Sequence, residues 1–203
     1  ALHEFSIFVP GITPKFCTCG KRRHSKSDAL EVDTDFLGRF CGEISLADMS
    51  PSDTLVERDR VLGTVRSRIG EMCNEPVENV LITVSGMAAI YTALRMAQAV
   101  FGGSDVSTGQ IVVFGFPYID TLKLCERKEL NPAGSHFFGF GHAQDLVDLE
   151  ALLRRPGTRI KALFTEFPSN PLLRCPDLRT LTRLAQEFDF ILVVDDTIAT
   201  YAT

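Results

Sequence analysis

The feature that most constrains this chain is an alternation that begins at residue 79, in which short apolar runs rich in Val, Ile, Leu and Phe take turns with helix-length spacers. The runs are Val80-Leu81-Ile82-Thr83-Val84, Gln110-Ile111-Val112-Val113-Phe114, His136-Phe137-Phe138-Gly139-Phe140, Ile160-Lys161-Ala162-Leu163-Phe164 and Phe190-Ile191-Leu192-Val193-Val194. The spacers predict helices from Gly86 to about Phe101, around Asp120 to Lys128, from about Gln144 to Arg155, and from Pro176 to Phe188. Strands that are apolar throughout are buried on both faces, and a helix between two strands lets them run parallel. The expected fold is therefore α/β: a three-layer, doubly wound, mainly parallel sheet of about five strands with helices on both faces. In such sheets ligands bind outside the carboxyl ends of the strands.

Ahead of the alternation, Ser50-Pro51-Ser52-Asp53 supplies an N-cap and a proline at the first helical position. Leu55, Val61, Leu62, Val65 and Ile69 then recur at helical spacing, which predicts a long amphipathic helix ending near Asn74. Residues 1–50 mix Pro, Gly, Lys and Arg without sustained periodicity, and Lys21-Arg22-Arg23-His24-Ser25-Lys26 reads as a solvated basic loop or arm. The expected organisation is an N-terminal arm over 1–50 and an α/β domain over 51–203.

A hydrophobic content of 45% with 23% charged residues describes a soluble globular chain, and a net charge of -5 argues against nucleic acid as a partner. No apolar run approaches the roughly 20 residues that span a bilayer, and the first residues lack the basic flank and long apolar core of a signal peptide, so a cytoplasmic protein without membrane contact is expected. The six cysteines are spread through a chain that needs no disulfide staples, and they read as mostly reduced. Cys17-Thr18-Cys19 with His24 hints at a metal, but zinc sites space their cysteines by two to four residues and need a second ligand pair. A surface loop is the simpler reading there, and no metal is expected.

The strand ends carry the chemistry. The first run leads into Ser85-Gly86-Met87-Ala88-Ala89-Ile90, where a small-residue turn opens a helix; its free N–H groups at Gly86 and Met87 suit a phosphate, although such turns also serve close packing. The second run is followed by Tyr118, which stands either beside the same rim or in the core. The fourth ends near Glu166 and turns through Pro168-Ser169-Asn170-Pro171, where a buried Asn needs a specific hydrogen-bond partner. The fifth ends in Asp195-Asp196-Thr197. A carboxylate there either caps the next segment or pairs with a cation, of which the protonated nitrogen of a pyridine ring is one.

Taken together, Ser85-Gly86-Met87-Ala88-Ala89-Ile90, Tyr118 with Thr121, Glu166 to Pro171 and Val194-Asp195-Asp196-Thr197 resemble the motifs of the Cys/Met-metabolism enzymes that depend on pyridoxal 5'-phosphate (PLP), fold type I. Phe114 to Lys123, His136 to His142 and Asp145 to Glu150 resemble the fungal cystathionine gamma-synthase-like branch, and the resemblance covers roughly residues 55–200. It implies PLP as cofactor and an amino-acid substrate undergoing gamma- or beta-replacement or elimination in sulfur amino-acid metabolism. It implies a phosphate turn at Ser85, Gly86 and Met87, the last two through backbone N–H groups. It further implies Tyr118 stacked on the ring, Asp195 paired with the ring nitrogen, and Asn170 and Thr197 near the ring's O3 side and the substrate.

Two departures follow. The family's N-terminal Tyr-x-Arg element, which reaches a neighbouring subunit's phosphate, has only Arg39 and Phe40 as a counterpart. The family's Schiff-base lysine lies in a Ser-x-Thr-Lys motif beyond the Asp strand, and none of Lys15, Lys21, Lys26, Lys123, Lys128 or Lys161 sits in one before Thr203. The resemblance thus implies the N-terminal portion of a PLP-binding large domain with no catalytic lysine and no C-terminal domain. Such a chain is expected neither to fold nor to work alone, and to need a second copy or a complementary C-terminal chain. A noncatalytic homologue serving as a binding or assembly subunit is the main alternative. An unrelated nucleotide-binding α/β protein is a third, without a Gly-x-Gly-x-x-Gly fingerprint to support it.

Overall fold

Successive residues of a strand point to opposite faces, so the fully apolar runs must find cover on both sides, and the structure divides them accordingly. The computed structural model describes residues 6–8, 51–102 and 109–199. In chain order the elements are β1 (Ser6–Phe8), α1 (Pro51–Cys73), a short 3-10 turn (Val77–Asn79), α2 (Gly86–Gly102), β2 (Gln110–Phe114), α3 (Ile119–Glu126), β3 (Ser135–Phe138), α4 (Ala143–Leu153), β4 (Ile160–Glu166), α5 (Leu178–Phe188) and β5 (Ile191–Asp195). The basic arm, the Cys17/Cys19/His24 group, Arg39 with Phe40, and Tyr201 to Thr203 lie outside the described residues.

The sheet runs β1-β5-β4-β2-β3. β2 is parallel to β3 and β4, β4 is parallel to β5, and only β1 is antiparallel, against β5. On one face Ile111, Val113, Ala162, Phe164, Ile191 and Val193 pack with Ile90, Ala93, Leu94 and Ala97 of α2 and with Cys125 of α3. On the other, Val112, Phe114, Leu163 and Leu192 pack with Leu149 and Leu153 of α4 and Leu181, Leu184 and Ala185 of α5. Each fully buried Leu or Phe of these layers is worth about 1.5–3 kcal/mol relative to exposure, so the two cores outweigh any surface ion pair. The fold class is the expected three-layer α/β arrangement.

The run 80–84 departs from expectation, for it forms no strand. Apolar composition permits a strand, but only pairing with a neighbour makes one, and 80–84 pairs with no strand of the described sheet. Val80 is buried instead against Ile69 of α1, while Val84 is 91% exposed. The Arg66 guanidinium donates to the carbonyls of Val77 and Val80, both at 2.8 Å, taking up an acceptor that a ladder would have used. β1, conversely, arises where no periodicity was legible, since three residues are too few to show one. The apolar stripe of α1 is only partly covered: Ile69 is buried and Leu62 is exposed.

Elsewhere the boundaries shift by a few residues. β4 and β5 run on to Glu166 and Asp195, so both carboxylates end strands rather than begin turns. α5 starts at Leu178 because Asp177 caps it, accepting from the Thr180 N–H at 3.1 Å. Among the described residues Cys73, Cys125 and Cys175 are in no disulfide, and burial pushes Cys125 up to about 12, which makes it a packing residue and no nucleophile. No helix among the described residues is long and apolar enough to cross a membrane.

The connections fix where a ligand can sit. The chain leaves β2 through α3 on one face to reach β3, then returns through α4 on the other face to β4, on the far side of β2. The loops after β2 and β4 therefore diverge and open a crevice at their carboxyl ends. Two glycines let the loops after β2 and β3 approach each other closely. Gly115 and Gly141 have φ of +85° and +62°, and a Cβ on Gly141 would lie 2.9 Å from the Gly115 Cα. Gly141→Ala is therefore expected to cost about 2 kcal/mol or more in denaturant unfolding. Gly134→Ala, at φ +87° with nothing within 4 Å of the new Cβ, should cost only about 1 kcal/mol. Equal losses for the two variants would show that the glycine contact has no role.

Candidate functional site

Parity along the strands delivers two carboxylates to one place. Glu166 lies two residues beyond Phe164, and Asp195 two beyond Val193, so both point to the face covered by α2 and α3. They are also partners in register across the β4–β5 ladder. Asp195 holds its own turn: Oδ1 accepts from the Thr197 N–H at 3.0 Å and from its hydroxyl at 2.6 Å. Burial pushes the Asp195 carboxyl up to about 7, against the pull of the two Thr197 bonds, and the neighbouring charges of Glu166 and Asp196 add to the rise.

Glu166 is buried as well, and burial raises its carboxyl above the ordinary range, opposed by hydrogen bonds from the amides of Asn170 and Tyr118. Oε1 accepts from Tyr118 N and Oε2 from Asn170 N at 3.1 Å. The turn after β4, with cis bonds at Phe167-Pro168 and Asn170-Pro171, is pinned further by Ser169, whose carbonyl accepts from Leu173 N at 2.7 Å and whose hydroxyl accepts from Arg174 N at 3.2 Å. Here the expectation of a buried Asn is corrected. Asn170 is exposed on the cleft side, and it is Ser169 that the turn buries.

The opposite wall is the start of α2. Ser85 caps it, its hydroxyl accepting from Ala88 N at 3.1 Å, and its carbonyl receives Ala89 N and the Thr83 hydroxyl. Gly86 and Met87 occupy the first two helical positions, where α-helical geometry leaves the N–H groups without an intrahelical acceptor. Tyr118, at the mouth of the loop after β2, is 49% exposed, so it is no core residue.

Gly86, Met87, Tyr118, Asn170, Asp195 and Thr197 all line one cleft of about 190 Å³, with Glu166 among them. Of the residues marked as candidates in the sequence, Ser85 alone stands behind the wall, as a cap. Sequence reasoning missed the apolar lining: Ile90, Pro168 and Ile198. Ile90 was findable, since it lies one helical turn beyond Gly86 and Met87 and so shares their face. No lysine lines the cleft among the described residues; Lys123 pairs with Asp120 on the exposed side of α3 at 3.3 Å, and Lys161 is buried within β4.

Chemically the cleft has two unlike ends. The helix N-terminus favours an anion, and Asp195 favours a cation that would restore the charge burial suppresses. The half-exposed ring of Tyr118 lines the same cleft. A planar ligand carrying a negative group and a protonated nitrogen satisfies both ends at once.

A family model described as Cys/Met metabolism PLP-dependent enzyme matches residues 63–203. The chain is 36% identical to the cystathionine gamma-synthase of Neurospora crassa over 182 residues, which cover 81% of this chain and 29% of that protein. It is 36% identical to a cystathionine gamma-synthase-like enzyme of Amanita muscaria over 180 residues, covering 86% of this chain and 28% of that one. A cystathionine gamma-synthase-like protein of Aspergillus thermomutatus is 35% identical over 203 residues, covering 98% and 32%. The chain thus spans less than a third of the length of these curated relatives. Since the matched region takes in every residue of the cleft, from Gly86 to Ile198, the chain belongs to the family of Cys/Met-metabolism enzymes that depend on pyridoxal phosphate.

Proposed function

We propose that the cleft is the cofactor end of a PLP site, and that the protein acts on an amino-acid substrate by gamma- or beta-replacement or elimination in sulfur amino-acid metabolism. The observation that carries this reading is the convergence of an open helix N-terminus and a partly buried carboxylate on one small cleft. In it, the amides of Gly86 and Met87 hold the phosphate, and Ser85 fixes the helix end that presents them. Tyr118 lies against the face of the ring. Asp195 pairs with the ring nitrogen, and Thr197, through its two bonds to Oδ1, sets the direction of that carboxylate. Asn170 and Thr197 stand toward the ring's O3 side and the substrate.

The donor set suits the cofactor because each end of the cleft answers an otherwise unmet electrostatic demand. The ring nitrogen needs an anion beside it to stay protonated, and Asp195 needs a cation to stay ionised in a buried position. When bound, PLP supplies an electron sink for charge released at the substrate's α and β carbons. The chain's part is to hold a proton on the ring nitrogen, anchor the phosphate and keep the ring flat against Tyr118. A second reading, a noncatalytic subunit that binds without turning over, draws on the absence of a lysine from the described lining of the cleft. Both readings include an association with a second copy or a complementary chain.

The unliganded chain should show the electrostatic cost of Asp195 directly. Its folded pKa lies above its unfolded value, so between about pH 4 and pH 7 the folded state binds more protons, and stability falls as pH rises through that window. Asp195→Asn is expected to flatten this slope and raise Tm at pH 8 while leaving it nearly unchanged at pH 4. The same variant should bind PLP about tenfold or more weakly in an absorbance titration, a loss of roughly 1.4 kcal/mol per factor of ten. Equal PLP affinity in the two proteins would overturn the assignment of the ring nitrogen to Asp195.

Tyr118→Ala should weaken PLP binding by roughly 2- to 10-fold, as expected for a ring contact, with little change in Tm because the side chain is half exposed. Borohydride reduction of the chain with PLP should leave Lys123 and Lys161 unlabelled, read by peptide mass spectrometry. Specific labelling of either would sink this account of the cleft.

A further inference from the structure

Glu166 has the most geometry in the cleft and no part in the cofactor roles above. It ends β4 at 8% exposure, in a position where an unneeded carboxylate would be costly. One of its oxygens takes the amide of Tyr118, 48 residues earlier in the chain, and the other takes the amide of Asn170 four residues later. A single side chain thereby ties together the loop after β2 and the turn after β4, the two segments that diverge to open the crevice.

The residue type follows from the bonds. A carboxylate has two acceptor oxygens, whereas a glutamine would present an NH₂ group to one of the two N–H donors and lose that bond. Aspartate is one methylene shorter and cannot span both loops from the same strand position. Register then places Glu166 directly beside Asp195, on the same face of the sheet. Two carboxylates so placed oppose each other's ionisation, and the charge of Glu166 adds to the rise at Asp195 that burial begins. Among the other groups facing the pair, Asp196 adds a third acid at the end of β5. No basic side chain lines the cleft among the described residues: Tyr118 offers an aromatic ring, and α2 brings Gly86, Met87 and Ile90, so the partial positive charge of its N-terminus is the one relief there.

We propose that Glu166 is a positioning residue: its ionised carboxylate fixes the loops that bear Tyr118 and Asn170, and its charge keeps Asp195 in need of a cation. The first half rests on the reading of the cleft as a PLP site, while the coupling of the two carboxylates stands without it. Glu166 thus makes the empty cleft electrostatically unsatisfied and the occupied cleft geometrically exact in the placement of its ring-facing groups.

The test is a pH titration of the side-chain carboxyl carbons of the full, unliganded chain by NMR. In the unaltered protein the Glu166 and Asp195 signals should each show two inflections, one at the partner's midpoint; independent single inflections would overturn the coupling. Glu166→Gln should lower the Asp195 midpoint, near pH 7 in the parent, by about one unit or more, and weaken PLP binding about tenfold. Glu166→Asp should weaken PLP binding to a similar degree while moving the Asp195 midpoint much less, a separation that loss of packing alone would not produce. An unmoved midpoint in Glu166→Gln refutes the charge role, and unchanged PLP affinity in both variants refutes the positioning role. Failure of the parent protein to bind PLP when assembled with its second copy or complementary chain would defeat the cofactor reading and the positioning half, while the two-inflection result would still decide the coupling.

Discussion

The pairing of β4 with strands on both of its sides is the constraint from which the rest follows. Every residue of Ile160–Glu166 is buried, β2 lies in register on one side and β5 on the other. Because the side-chain period of a strand is two, a slip of one residue would send Ala162 and Phe164 to the wrong helix layer and turn Glu166 away from α2. The same register that fills the two cores therefore sets the site. Phe164 and Val193 anchor the apolar layer under α2, and the next residues of the same parity, Glu166 and Asp195, emerge at its rim.

This explains why so much of the fold was legible. The runs at 110–114, 160–164 and 190–194 are buried from both sides, and burial on both sides leaves an unmistakable apolar block. The run at 80–84 has the same composition and no strand, because composition records what a segment can do and pairing depends on an edge elsewhere in the chain. The Arg66 bonds to the carbonyls of Val77 and Val80 could not be read from spacing, since they depend on how α1 is placed. In the site, Gly86 and Met87 were recognisable as the opening of a helix, Tyr118 as an aromatic after β2 and Asp195 as a carboxylate at a strand end. The two-loop tie of Glu166 was not, since it joins positions 48 residues apart and depends on the reversal of the chain between β2 and β4. Asn170 was misjudged for a similar reason: a turn's sequence does not say which of its polar residues faces inward, and here it is Ser169.

The energetics of the cleft set stability against binding. A partly buried aspartate whose carboxyl is pushed up to about 7 and a buried glutamate beside it both burden the unliganded protein at neutral pH. Hydrogen bonds offset part of this, two at Asp195 from Thr197 and two at Glu166 from backbone amides, each worth about 1–3 kcal/mol where the acceptor is charged. They do not cancel it, because burial remains the largest influence on both groups. A site that carries uncompensated charge in this way converts the entry of a cation into stabilisation of the whole sheet end, by ordinary linkage between binding and folding.

The two walls of the cleft also act on each other. The N-terminus of α2 carries about half a positive charge, and the carboxylates at the ends of β4 and β5 lie on the face that α2 covers. These opposite charges line one cleft and partly compensate each other. A ligand with its anion toward Gly86 and Met87 and its cation toward Asp195 gives each end a partner of its own. Reversing the ligand would place like charges together at both ends. For a ligand of that kind, charge would decide orientation in the cleft before any shape-specific contact with Tyr118 or Asn170 is made.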